Sequence, residues 1–327
     1  MSTHHSPQIA EDYQQQRSEK VQIFLEYLRY ERNLSAHTLA SYTENLQKFE
    51  NYIQQVAPDV IWSTMDSDII RGWVINMMDE GNKASSVNTR LSALRSFYKF
   101  LLRRGYVTAD PAHNITGPKA EKALPSYIRD AEMDQLLDHG NFPDGYVGVR
   151  DRTILMTLYS AGLRASELLG LTLVSVDFSA KQLKVTGKRN KQRIVPFGQE
   201  LEDTFRDYLQ HREQLLNERG MQSQAFFLSE RTGRPMDYQA LRVMVNRYLS
   251  TVSSSKRKSP HVLRHSFATT MLNHQADLRS VKELLGHESL ATTEIYTHAT
   301  FAELQQAYQK AHPRAPIQEE GSAAKGE

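Results

Sequence analysis

Tyr296 stands in "LLGHESLATTEIYTHAT" (residues 284–300), with Ile295 as its apolar neighbour and Thr292, Thr293, Glu294, Thr297 and His298 around it. A tyrosine that packs belongs in an apolar stripe, so this phenol raises the alternative that it reacts. Three other stretches supply cations, and the Tyr296 stretch itself adds His287. Arg164 lies in "LYSAGLRASELLGL" (158–171), between a helix that closes at Gly162 and one that opens after it. Glu167, three residues on, can reach back to hold its guanidinium; an ordinary structural Arg–Glu pair fits this segment equally well. Lys188 sits at the tip of "VTGKRNKQRIV", a turn that is either simply solvated or mobile enough to reach a phosphate. In "SPHVLRHSFATTML" (259–272), Ser259 reads as an N-cap and Pro260 as the first helical residue. His261 then falls in the opening turn with Arg264 on the same face, where free N–H groups and the helix dipole favour an anion. His287 follows the Gly286 helix stop, nine residues before Tyr296.

Other chemistries fit less well. His261 and His265 are four apart, as in zinc-binding helices, but Val262 stands where such enzymes carry glutamate. No carboxylate lies near enough in sequence to complete a metal set, and His265 reads as structural, its ring toward the core. The chain has no cysteine, which removes thiolate sites and disulfides and suits a reducing cytoplasm. It has no Gly-rich phosphate loop, so neither a metal nor a cofactor is expected. The 327 residues are 39% hydrophobic and carry a net charge of +2. That balance alone does not point to nucleic acid, but its distribution does. Residues 81–109, 178–199 and 238–276 each hold six Lys/Arg and no acid, which points to a surface that meets a polyanion. No stretch is long and apolar enough for a membrane helix, and the N-terminus lacks the apolar core of a secretory signal.

The elements that must position these residues are mostly helical. Residues 1–17 read as a polar tail. Over 18–108, Val21, Phe24, Leu25 and Leu28 keep helical spacing, as do Leu46, Phe49 and Ile53. Ser35 and Ser67 read as helix caps. A helix over roughly 85–104 sets Leu91, Leu94, Tyr98 and Leu101 on one stripe and carries Arg90, Arg95, Lys99, Arg103 and Arg104 before Gly105 stops it. Residues 109–127, with three prolines and no periodicity, read as a linker. From 128 to 313 a larger helical domain is interrupted by "KQLKVTGKRNKQRIVPFG" (181–198), where Leu183 and Val185, then Ile194 and Pro196, bracket a polar turn and predict a β-hairpin. Residues 314–327 read as a disordered tail. The expectation is a mainly α chain with a small β-hairpin or sheet, in two domains.

The ordered set Arg in "AGLRASELLGL", Lys in "GKRNKQR", "HVLRHSFAT" and "LLGHESLATTEIYTH" resembles the tyrosine recombinases, the phage integrase family. The resemblance covers nearly the whole chain, and "AYQKAHPRA" with the chain length makes it most similar to the bacterial Xer subfamily. It implies a two-domain DNA clamp: an N-terminal SAM-like core-binding bundle and a C-terminal catalytic domain. It implies that Tyr296 is the nucleophile, joined to the 3′-phosphate of cut DNA, and that Arg164, Lys188, His261, Arg264 and His287 are the catalytic cations, with Glu167 supporting them. Arg90, Arg95, Lys99, Arg189, Lys191 and Arg193 are expected DNA contacts.

In that chemistry a phenol of pKa near 10 is ionised to about one part in a thousand at pH 7, a deficit of about 4 kcal/mol. His261 is the expected base for it, Lys188 the acid for the leaving oxygen, and the arginines and His287 the donors to the transition state. No cofactor is implied, since the phosphotyrosine stores the bond. The implied partners are a double-stranded recombination site and four recombinase protomers, alike or of two kinds, on two sites. A DNA translocase is a candidate activator, and the implied location is the nucleoid. The last stretch, 301–312, is amphipathic and packs either on its own domain or on a neighbouring protomer. Two alternatives stay open: a mobile-element integrase, although 17 polar residues before the first helix leave no room for an extra arm-binding domain, and topoisomerase-like rejoining of the original strand.

Overall fold

A computed structural model of the chain describes residues 7–120, 126–187, 191–286 and 301–315. Lys188, Arg189, His287, Tyr296 and the expected tail beyond 315 lie outside these. The chain divides into two compact units, residues 1–123 and 124–327.

The first unit is a helical bundle of α1 (Pro7–Glu26), continued by a wider turn of helix over Tyr27–Glu31, α2 (Ala36–Val56), α3 (Ser67–Asp79) and α4 (Ala84–Arg103). The apolar stripes read from the sequence form its core. Phe24, Leu46, Phe49, Ile53, Leu91, Leu94, Tyr98 and Leu101 are all buried, and each fully buried leucine contributes about 2 kcal/mol. Aromatic rings knit the stripes together, with Phe49 4.6 Å from Trp73 and Trp62 4.8 Å from Phe97. Ser35 caps α2 by accepting the Thr38 N–H at 3.3 Å. The cap of α3 is Asp66 rather than Ser67: its charged carboxylate accepts the Asp68 N–H at 2.9 Å, and Ser67 becomes the first helical residue. At Gly105, with φ of +72°, the chain leaves α4 through the left-handed conformation.

Two boundaries differ from the sequence reading. Helix α1 begins at Pro7, inside the expected tail, and Arg17 within it is fully buried. Its guanidinium donates to the Pro58 and Val60 carbonyls at 3.1 and 2.6 Å and to Gln54 at 2.6 Å, while its own carbonyl accepts the Trp62 indole N–H. At the other end, Ala112 and Ile115 belong to this core rather than to a linker. Arg95 holds them by donating to both their carbonyls, so short apolar side chains without periodicity are still fixed.

The second unit contains α5 (Asp130–His139), α6 (Tyr146–Ala161), α7 (Ala165–Leu169), β1 (Val176–Asp177), β2 (Gln182–Thr186), β3 (Gln192–Pro196), α8 (Gln199–Glu218), α9 (Tyr238–Val252), α10 (Pro260–Asn273), α11 (Leu278–Leu285) and α12 (Phe301–Ala311). Helix α6 runs through the centre against α8 and α10 and is buried along nearly its whole length. The hairpin is the antiparallel pair β2–β3, with Leu183 opposite Val195 and Val185 opposite Arg193; β1 adds a third, two-residue strand.

Chain order continues past 313. Tyr308, Ala311 and Ala315 are buried with Phe267, Met271, Val281, Leu284 and Leu285, so α12 packs on its own domain. Arg314 anchors this end through Asp134 at 2.9 Å, Asp138 at 2.8 Å and Glu200. His312 lies between the rings of Tyr308 and Phe267.

Candidate active site

Helix α6 stops at Gly162, whose φ of +57° favours glycine. A Cβ there would lie 2.4 Å from the Phe267 ring, so α10 approaches this turn closely. The turn delivers Arg164 to the start of α7. There its backbone N–H donates to Glu167 Oε2 at 2.8 Å and its Nη1 to Glu167 Oε1 at 2.7 Å. The reach-back anticipated from the three-residue spacing is therefore present, and it doubles as a helix cap.

Two further guanidinia meet the same carboxylate. Arg193, from β3, makes a fork of two 2.8 Å bonds, Nη1 to Oε1 and Nη2 to Oε2. Arg264, from α10, comes within 3.7 Å of Oε2 and donates to the Gly162 carbonyl at 2.7 Å. Glu167 and Arg264 are each only 4% exposed. Burial by itself would push the Glu167 carboxyl up; the Arg193 fork, its charge and the Arg164 contacts overcome this and hold it at about 2. Burial, then the charge of Arg164, draws Arg264 down to about 10, against the pull of Glu167. One carboxylate among three guanidinia leaves two positive charges in excess.

Helix α11 completes the arrangement. Its last carbonyls have no partner within the helix. Leu284 O accepts Arg193 Nε at 2.8 Å, Leu285 O accepts Arg264 Nη2, and Gly286 O accepts Arg164 Nη2 at 3.2 Å. Three successive carbonyls are thus each taken by a different arginine. Gly286, φ +62°, then ends the helix. His287 is the next residue. On the hairpin side, a Cβ on Gly187 would lie 3.5 Å from Glu167 Oε1, and Lys188 is the next residue there. Both described residues that precede candidate catalytic positions therefore border the Glu167 cluster.

His261 is exposed in the first turn of α10, three residues before buried Arg264. Ser259 occupies the N-cap position without a side-chain cap bond. His265 is half-buried. Of the expected DNA contacts, Arg193 is instead committed to Glu167 and Leu284, as described. The reason was available in the strand alternation: Val185 and Val195 face inward, and Arg193 shares that face. Lys191 is exposed, and its carbonyl accepts the Gly187 N–H at 2.7 Å. In the first unit, Lys99 is exposed, Arg90 donates to Asn82 at 2.9 Å, and Arg95 holds the carbonyls already named. Among the described residues no group of three or more His, Asp or Glu could hold a metal ion, and no helix is long and apolar enough to cross a membrane.

A buried carboxylate gathers three arginines at the end of α11, with guanidinium charge in excess. Comparison with known proteins gives the chain a family. Residues 126–303 match the phage integrase family, and residues 21–105 match the phage integrase N-terminal SAM-like domain. The chain belongs to the phage integrase family of tyrosine recombinases, site-specific enzymes that cleave and rejoin DNA strands.

Among individual relatives, it is 38% identical to tyrosine recombinase XerC of Chlorobaculum tepidum, over 89% of this chain and 94% of that one. It is 40% identical to XerC of Azotobacter vinelandii, over 89% and 95%. In fold it is similar to the XerH site-specific recombinase bound to a palindromic difH substrate, with a TM-score of 0.68 at 21% identity over 89% of this chain and 84% of that one. The Tn1549 transposon integrase in complex with transposon right end DNA gives a TM-score of 0.65 at 17% identity, over 88% and 97%.

Proposed function

We propose that this recombinase resolves chromosome dimers, exchanging strands between two copies of a chromosomal site, with Tyr296 as nucleophile. The Tyr296 oxygen attacks phosphorus, the bond from phosphorus to the 5′-oxygen breaks, and a 3′-phosphotyrosine and a free 5′-hydroxyl result. His261 takes the phenol proton and Lys188 returns one to the leaving oxygen. Arg164, Arg264 and His287 donate to the non-bridging oxygens as charge develops.

The observation that carries this reading is the Glu167 hub. It aligns Arg164 and Arg264 with the ends of the segments that lead into Lys188 and His287. Among the described residues, the two arginines place named bonds on only part of their five N–H donors each.

The chromosomal role rests on the XerC relatives, all matched over most of their length. It carries with it four protomers on two sites, a nucleoid location and activation by a DNA translocase. The test is cleavage of a labelled, nicked duplex bearing the candidate chromosomal site. Wild type should form a covalent protein–DNA adduct and Tyr296→Phe none. Relaxation of a plasmid without paired sites would instead favour topoisomerase-like rejoining, and activity only on mobile-element ends would favour an integrase.

A further inference from the structure

We propose that Arg193 is a positioning residue of the strand-cleavage site: it orients Glu167 and the end of α11, and does not contact the DNA phosphate. The proposal rests on the recombinase reading above.

Three observations point to it. All three of its nitrogens are engaged within the domain, Nε on Leu284 O and the two Nη atoms on the two oxygens of Glu167. Its side chain is 14% exposed, against 33% for Arg164. The backbone also closes over it, since a Cβ on Gly286 would lie 3.0 Å from Arg193 Cδ.

The consequence is mechanical. Arg193 is the one arginine that joins the hairpin strand β3 to both Glu167 and α11. Glu167 in turn meets Arg164 and Arg264, while the next two carbonyls of α11 meet the same two arginines. A shift of Arg193 therefore moves the carboxylate that separates two mutually repelling guanidinia, together with the helix end before His287. Lysine keeps the charge but cannot make a planar fork plus a third bond. Misplacement of about 1 Å in such a site can cost about 100-fold in rate.

The experiment uses the full chain and a nicked duplex bearing the candidate chromosomal site, with single-turnover adduct formation measured at saturating protein and affinity measured separately over a salt series. Wild type is the control for the reading itself, because absence of its adduct would reject the recombinase assignment at this site and with it the cleavage role of Arg193. Given wild-type cleavage, Arg193→Lys and Arg193→Met should slow adduct formation about 10- to 100-fold. Their affinity should stay within twofold of wild type and their salt slope should be unchanged. Glu167→Gln combined with Arg193→Met should lose less than the product of the two single losses, since the fork between them is shared. An unchanged rate would overturn the proposal. So would weaker binding with a salt slope reduced by about one charge, which marks a phosphate contact, or losses that multiply in the double variant. Should the Met variant fail to fold by circular dichroism, the Lys variant decides.

Discussion

Burial and charge act in opposite directions on Glu167. Its carboxyl is held at about 2, below the ordinary 4.5, so its ionised form stabilises the folded state above pH 4.5. That contribution is lost as pH falls from 4.5 toward 2, and it amounts to at most about 3 kcal/mol. Glu167→Gln should therefore flatten the stability profile in that window, as measured by denaturant unfolding at stepped pH; an unchanged slope would mean that the carboxylate is not held this way. Arg264→Ala should slow strand cleavage by at least about 100-fold. The pairing of Arg164 with Glu167 was legible because residues three apart share a helix face. The fork from Arg193 comes 26 residues away in sequence, and only the strand alternation carried a trace of it. Capping of α11 by three arginines depends on tertiary packing and leaves no local signal.

Helix termini set the geometry at the next scale. Gly162 must both adopt a left-handed turn and admit Phe267 against its backbone. Gly162→Ala should destabilise the protein by about 2 kcal/mol or more, from conformation and overlap together, and a melting temperature equal to wild type would contradict that packing. At the other end, burial lowers the His312 imidazole to about 4, so it is neutral where α12 is docked. The unfolded imidazole, near 6.5, gains a proton first. Docking is thus fully stable above pH 6.5 and weakens as pH falls from 6.5 to 4. Limited proteolysis after α11 should accelerate across that window in wild type and be faster at neutral pH in Arg314→Ala. The long helices were legible from their apolar stripes. The seat of "AHPRA" was not, because its burial comes from stacked rings and three distant carboxylates rather than from hydrophobic periodicity.

At the scale of the whole chain, two units share three basic, acid-free windows, and the windows divide by use once folded. Part of their charge is turned inward, as at Arg95, Arg193 and Arg264, and part is left at the surface, as at Lys99 and Lys191. Composition could show the windows but not this division. If the outward share meets DNA, affinity should fall steeply with salt, and Lys99→Ala should lower the log–log slope by about one. A flat plot would contradict the polyanion surface. The most direct measurement is the covalent adduct on a nicked duplex bearing the candidate site, followed by denaturing electrophoresis. Wild type is expected to shift the labelled strand, and Tyr296→Phe to bind with equal affinity yet leave the strand unshifted. A shifted strand in the Phe variant would mean that another residue attacks the phosphorus.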